Sequence, residues 1–65
     1  MKIKLNGENK EVEEGCTVAG LVEIAGLRDP FSVALNGAFV SKSDYAETRL
    51  SPNDEVEAVK PVFGG

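Results

Sequence analysis

The run Lys60-Pro61-Val62-Phe63-Gly64-Gly65 closes the sequence on two residues that have no side chain to pack, pair or cap with. What such an end offers is bare backbone and a carboxylate. An α-carboxyl group has a pKa of about 3.5, so at neutral pH a Gly65 terminus is a charged, poor electrophile that has to be activated before anything is transferred to it. Pro61 restricts the run and favours extension, whereas Gly64 and Gly65 clear every side-chain clash from around the acyl carbon. At roughly 3.3 Å per residue, positions 60–65 reach about 20 Å from a folded body. The run suits a probe: Gly64 and Gly65 pass through a channel too narrow for a Cβ, with Pro61, Val62 and Phe63 leading into it, and present Gly65 to another protein's active site. Taken alone, the same residues also read as an idle flexible end or an expression scar.

Little else in the chain is equipped for chemistry. There is no histidine among the 65 residues, and the single cysteine, Cys16, has no partner for an intrachain disulfide and no metal-ligand constellation. Cys16 reads first as a structural thiol in a reducing compartment, and only second as a redox or transfer group, which would need a neighbouring base. Independent catalysis is therefore not expected, and no catalytic or metal-binding residue is assigned. Seven Lys and Arg against eleven Asp and Glu give a net charge of −4, which disfavours nucleic acid. No stretch approaches the roughly 18 apolar residues of a membrane span and no signal-peptide core opens the chain, so a cytoplasmic protein is expected.

The elements that would position the tail follow from periodicity. Met1 to Leu5 alternates apolar and charged residues as a strand with one buried face. Asn6-Gly7 marks a turn; a four-residue loop from Asn6 to Asn9, with Ile3 opposite Val12, gives a better apolar pair than a two-residue loop, and sets the second strand at about Lys10 to Glu13. Val18, Leu21, Val22 and Ala25 fall on one helical stripe, with Thr17 as N-cap, Gly26 as the left-handed stop and Pro30 beyond. Gly20 inside this helix is attributed to close packing on the sheet. Asn36-Gly37 centres a second hairpin over Phe31 to Val40, pairing Val33 with Val40 and Leu35 with Ala38, and leaving Ala34 and Phe39 on the other face. Residues 41–50 read as an irregular crossing with a helical turn near Asp44 to Glu47, in which Tyr45 and Leu50 close the core. After a turn at Ser51 to Asp54, the last strand, Glu55 to Val59, points Val56 and Ala58 inward and Val59 outward.

The expected architecture is α+β: a mixed sheet of about five strands with one main helix packed on one face, a domain over 1–59 and an extended tail over 60–65. One helix covers one side of the sheet. The other side is then solvent or partner surface, which marks Ala34, Phe39 and Val59 as a docking patch with Glu55 and Glu57 as an acidic rim.

Four segments, MKIKLNGE, GCTVAGLVE, VALNGAFVSKSDYAET and DEVEAVKPVFGG, together resemble the ThiS-type sulfur carriers, which are ubiquitin-like β-grasp proteins, along the whole chain. Phe63 departs from the small residue common before the glycine pair. The resemblance implies a sulfur carrier of thiamine (thiazole) biosynthesis. A ThiF-type adenylyltransferase would use ATP and Mg to adenylate Gly65, a cysteine desulfurase would supply persulfide sulfur for a thiocarboxylate, and a ThiG-type thiazole synthase would receive it. No cofactor is held by the carrier itself. The Gly-Gly end is shared with MoaD-type carriers of molybdopterin synthesis and with ubiquitin-like interaction modules or modifiers, which stand as the alternatives.

Overall fold

A computed structural model describes residues 1–60; Pro61, Val62, Phe63, Gly64 and Gly65, all assigned to the tail, lie outside the described residues. The expected order of elements is found: β1 (Lys2–Leu5), β2 (Glu8–Glu11), α1 (Val18–Ala25), β3 (Ser32–Leu35), β4 (Ala38–Val40), a 3₁₀ turn (Lys42–Asp44) and β5 (Glu55–Val59).

Both hairpins turn on Asn-Gly with both residues left-handed, φ 51° and 82° at Asn6 and Gly7, 50° and 86° at Asn36 and Gly37. Turns of this hand match the twist of the strands they join, which fixes a two-residue loop. The second hairpin has the expected register, Val33 with Val40, Ala34 with Phe39 and Leu35 with Ala38. The first does not. Leu5 faces Glu8 and Ile3 faces Lys10, so the four-residue loop and the Ile3–Val12 pair are wrong, and the second strand starts at Glu8 rather than Lys10. Turn geometry outweighed the gain from one apolar pair. Val12 still reaches the core because the slip is two residues, which keeps every side chain on its own face. Its N–H donates to the Met1 carbonyl at 2.9 Å, just beyond β2.

The strands form one sheet in the order β2-β1-β5-β3-β4. β5, last in sequence, is central in space, parallel to β1 through Lys4–Glu55 and Leu5–Val56 and antiparallel to β3 through four pairs from Ser32–Val59 to Leu35–Val56. The charged ENKE of β2 blunts one edge against pairing with other chains. On one face of the sheet Ile3, Val12, Val33, Val40 and Val56 pack with Val18 and Leu21 of the helix, and Tyr45 and Leu50 close the cluster as expected.

Helix α1 has the predicted limits because both its ends are chemically satisfied. The Gly20 N–H donates to the Thr17 hydroxyl oxygen at 3.1 Å. Gly26 takes φ 68°, its N–H donating to the Glu23 carbonyl, while the Leu27 N–H reaches the Val22 carbonyl, the double closure typical of a glycine-terminated helix. The other free donors of the first turn are met from the crossing: Val18 N–H donates to the Thr48 carbonyl and Ala19 N–H to the Tyr45 carbonyl. The 3₁₀ helix lies at Lys42–Asp44, two residues earlier than expected, and the Asp44 carbonyl then accepts the Glu47 N–H at 3.1 Å, so the chain also turns across the expected Asp44 to Glu47. The Tyr45 and Thr48 carbonyls are taken by α1, which keeps the crossing from winding on as a helix.

The attribution of Gly20 to sheet packing is also corrected. A Cβ built there meets Cys16 Sγ at 3.4 Å and Thr17 Oγ1 at 3.6 Å, ordinary contacts within the helix entry and none with a strand. Gly20→Ala is therefore expected to stabilise the fold by up to about 1 kcal/mol, read as a raised denaturant midpoint at unchanged slope.

Candidate functional site: the open sheet face

On the face opposite α1 the sheet carries the residues left outward by strand alternation. Phe39 is 72% exposed and Val59 56%, both far above Val40 and Val56, the buried valines of the same two strands. Their placement follows from register. Phe39 faces Ala34 and Ala34 faces Glu57, which lines the three up across β4, β3 and β5. Ser32 and Val59 form the adjacent row. Adjacent strands lie about 4.8 Å apart, so Phe39 and Val59 sit on strands about 10 Å apart with Ala34 and Ser32 between them: one shallow apolar surface without direct contact between its two large residues. The structure thus brings together the predicted patch of Ala34, Phe39 and Val59, with Glu57 inside its edge.

The same face changes character toward β1. Glu55 pairs with Lys4, and Lys2 pairs with Glu11, so the acidic rim meets the exposed lysines of β1. The parallel β1–β5 pairing carries this juxtaposition, and no local signal announces a parallel pairing between segments about fifty positions apart.

The strand that leads to the tail is held at both ends by asparagine side chains. Asn36 Oδ1 accepts the Glu55 N–H at 2.9 Å, and the Asn36 N–H donates to the Glu55 carbonyl at 2.7 Å. Asn36 Nδ2 also donates to Asp54 Oδ1, whose other oxygen accepts the Ser51 N–H and locks the turn before β5. At the far end Asn6 Oδ1 accepts the Ala58 N–H at 2.8 Å. Sequence reasoning used both asparagines only as turn formers. Their second use could have been suspected from Asn standing in each turn where Gly would serve the backbone equally well.

Elsewhere the described residues offer little reactive chemistry. A groove of about 690 Å³ runs beside the helix entry, lined by Glu11, Glu13, Glu14 and Glu23 around half-buried Cys16, with Ile24 at its edge. The thiol donates to the Thr17 carbonyl, and no basic side chain lines the groove. A thiol among carboxylates has beside it no cation or imidazole of the kind that activates a cysteine as a nucleophile. Among the described residues no cluster of His, Cys, Asp and Glu is arranged for a metal, and no helix is long and apolar enough to cross a membrane.

A five-stranded mixed sheet in the order 2-1-5-3-4, one helix across one face and the other face left open, defines a ubiquitin-like β-grasp protein. The chain belongs to the ThiS family, whose model matches residues 3–65. It is similar over its full length to a crystal structure of the thiamine biosynthesis protein (ThiS) from Geobacter metallireducens, with a TM-score of 0.86, 25% identity and the whole of that chain covered. The solution structure of a Geobacter metallireducens thiamine biosynthesis protein gives 0.80 at 25% identity, with 88% of that chain covered. Among curated proteins, it is 38% identical over 66 residues to a thiazole synthase from Magnetococcus marinus and 29% identical over 65 residues to a threonine–tRNA ligase from Aquifex aeolicus. All of this chain aligns in each case, but it spans only 20% of the first relative's length and 9% of the second's.

Because Phe39 packs against no core residue, Phe39→Asp should fold normally and shift stability by less than about 1 kcal/mol, the span of strand propensity at a half-open position. Thermal and denaturant unfolding followed by circular dichroism measures this directly.

Proposed function

We propose that this chain is a sulfur carrier of thiamine (thiazole) biosynthesis, with Gly65 as the residue that bears sulfur. The observation that carries the reading is the match to the ThiS family over residues 3–65, supported by the two similar structures described as thiamine biosynthesis proteins and by the identity to a thiazole synthase. The chain acts as a protein cosubstrate, not as a catalyst. It works in the cytoplasm, where Cys16 stays reduced.

The reaction follows from the weakness of a carboxylate as electrophile. A ThiF-type adenylyltransferase, using ATP and Mg²⁺ that it binds itself, joins AMP to the Gly65 carboxyl and releases pyrophosphate, so that AMP becomes the leaving group. The terminal sulfur of a persulfide, drawn from cysteine by a desulfurase, attacks the acyl carbon and the bond to AMP breaks. A thiol then cleaves the acyl disulfide, forming a disulfide and leaving the thiocarboxylate, whose sulfur passes to a ThiG-type thiazole synthase. This chain supplies no acid or base to any step. Its part is to fit Pro61, Val62, Phe63 and Gly64 into the partner's channel and to dock Ala34, Phe39 and Val59 on the partner's body. Glu55 and Glu57 steer approach to a basic surface, and Lys2 and Lys4 beside them fix which way round the two bodies meet.

Incubation with ATP, cysteine, a desulfurase and the activating enzyme should raise the intact mass by about 16 Da, the replacement of one oxygen by sulfur in an acyl substitution. A chain extended by one residue beyond Gly65 should show no gain, and Gly65→Ala should be adenylated far more slowly; sulfur uptake by the extended chain would place the acceptor elsewhere. Phe39→Asp, folded as above, should raise the KM for the activating enzyme by about tenfold, the loss of roughly 1.4 kcal/mol of apolar burial.

A further inference from the structure

The turn residue Asn6 is joined to β5 by a hydrogen bond that spans 52 positions of sequence. β1 runs parallel to β5 only as far as Leu5, and the last backbone bond between that side and β5 is the Asn6 N–H donating to the Val56 carbonyl at 2.9 Å. There β1 turns away into Asn6-Gly7. The next N–H of β5 on that side belongs to Ala58, and the chain that would have supplied its acceptor has left. Asn6 Oδ1 takes that place at 2.8 Å, extending the ladder by one rung with a side chain. On the opposite side β3 keeps pairing to Ser32–Val59. Asn6 therefore decides whether the last two residues of β5 are held from both sides or from one.

From this geometry we infer that Asn6 is a positioning residue for the tail: by holding Ala58 it fixes the direction in which the chain leaves the sheet at Lys60. The inference rests on the carrier reading for its functional consequence, but its structural half stands apart from it. Once the body has docked, entry of the terminus into the partner's channel is an internal step of the complex, and it succeeds more often when the base of the tail points one way. The body patch sets encounter, and Asn6 sets how many encounters are productive. Loss of the bond should accordingly lower kcat and leave KM nearly unchanged, the reverse of Phe39→Asp.

Two substitutions separate this from a merely structural role. Asn6→Gly tolerates the left-handed φ of 51° and removes the acceptor. Asn6→Asp keeps the acceptor and also tolerates that φ. In the free protein, amide exchange at Ala58 should quicken about fivefold in Asn6→Gly, as for one hydrogen bond of ordinary net strength, with ¹⁵N relaxation showing more motion at Val59 and Lys60 while Val33 and Val40 keep their protection. Asn6→Asp should restore both. With the activating enzyme, at a temperature where all three forms are folded, Asn6→Gly should lose about fivefold in kcat with KM within about twofold, and Asn6→Asp should recover it. Unchanged exchange and motion at residues 58–60 in Asn6→Gly would overturn the clip. Altered exchange with unaltered kcat would overturn its role in presentation. Failure of the wild-type chain to take up sulfur at all would instead sink the carrier reading and the presentation role that rests on it, leaving the exchange result to decide the clip.

Discussion

The constraint on which the rest of this molecule depends is that its last strand must be its middle one. β5 joins two hairpins that otherwise share no strand pairing: β1–β2 on one side and β3–β4 on the other. Each hairpin alone is marginal in water, and only the five-stranded sheet offers a continuous apolar face broad enough for Val18 and Leu21 of α1 to bury themselves completely. In a domain of 65 residues, whose whole stability is a few kcal/mol, that coupling makes the fold nearly all-or-none. It also makes the strand nearest the proposed working end the one with the most partners. Backbone from β1 and β3 and side chains from Asn6 and Asn36 converge on five residues.

The two faces of the sheet divide the remaining tasks. A chain of this length has material for one helix, so the face that α1 covers takes nearly all the large aliphatic side chains and the other face is left to what alternation supplies. What it supplies is ordered: Phe39 and Ala34, then Glu57 and Val59, then Glu55 beside Lys4, and Lys2 beside Glu11 toward the β2 edge. An apolar end and a charged end on one surface give a docking partner a direction as well as a foothold, since reversing the contact would set like charges together.

Local signals were the legible ones. Thr17, the stripe from Val18 to Ala25, and Gly26 each act within one or two turns of chain, and they marked the helix to the residue. Asn36-Gly37 did the same for the second hairpin. The first hairpin was misread because a cross-strand pairing preference was set above a turn whose backbone angles leave no choice of loop length. The 3₁₀ turn of the crossing starts two residues before the expected Asp44, and the Tyr45 and Thr48 carbonyls beyond it are engaged by the helix entry, a tertiary demand that the sequence of 41–50 does not display. For the candidate site, strand alternation placed Phe39, Ala34 and Val59 correctly, whereas Lys4 beside Glu55 and Asn6 on Ala58 required knowing that β1 and β5 run parallel. The tail, the most suggestive stretch of the sequence, falls outside the described residues, so its reading rests on the family and on chemistry.

The size of the exposed patch bears on what kind of complex it can make. Fully burying an aromatic or aliphatic side chain contributes about 1.5–3 kcal/mol, and among the described residues Phe39 and Val59 are the two large ones on this face with surface left to bury. Even doubled by the small residues and charges around them, such a contact falls well short of the roughly 12 kcal/mol of a nanomolar complex once the entropy of association is set against it. The body alone can therefore be held only briefly. A long-lived association would have to draw its energy from residues 60–65, seated in a channel, and would end when they leave it. If, as proposed, the chain visits an activating enzyme and then a sulfur acceptor through the same surface, the arrangement serves it: the body would find the partner, the tail would set how long it stays, and a change at the terminal acyl group would be enough to favour release from the first partner.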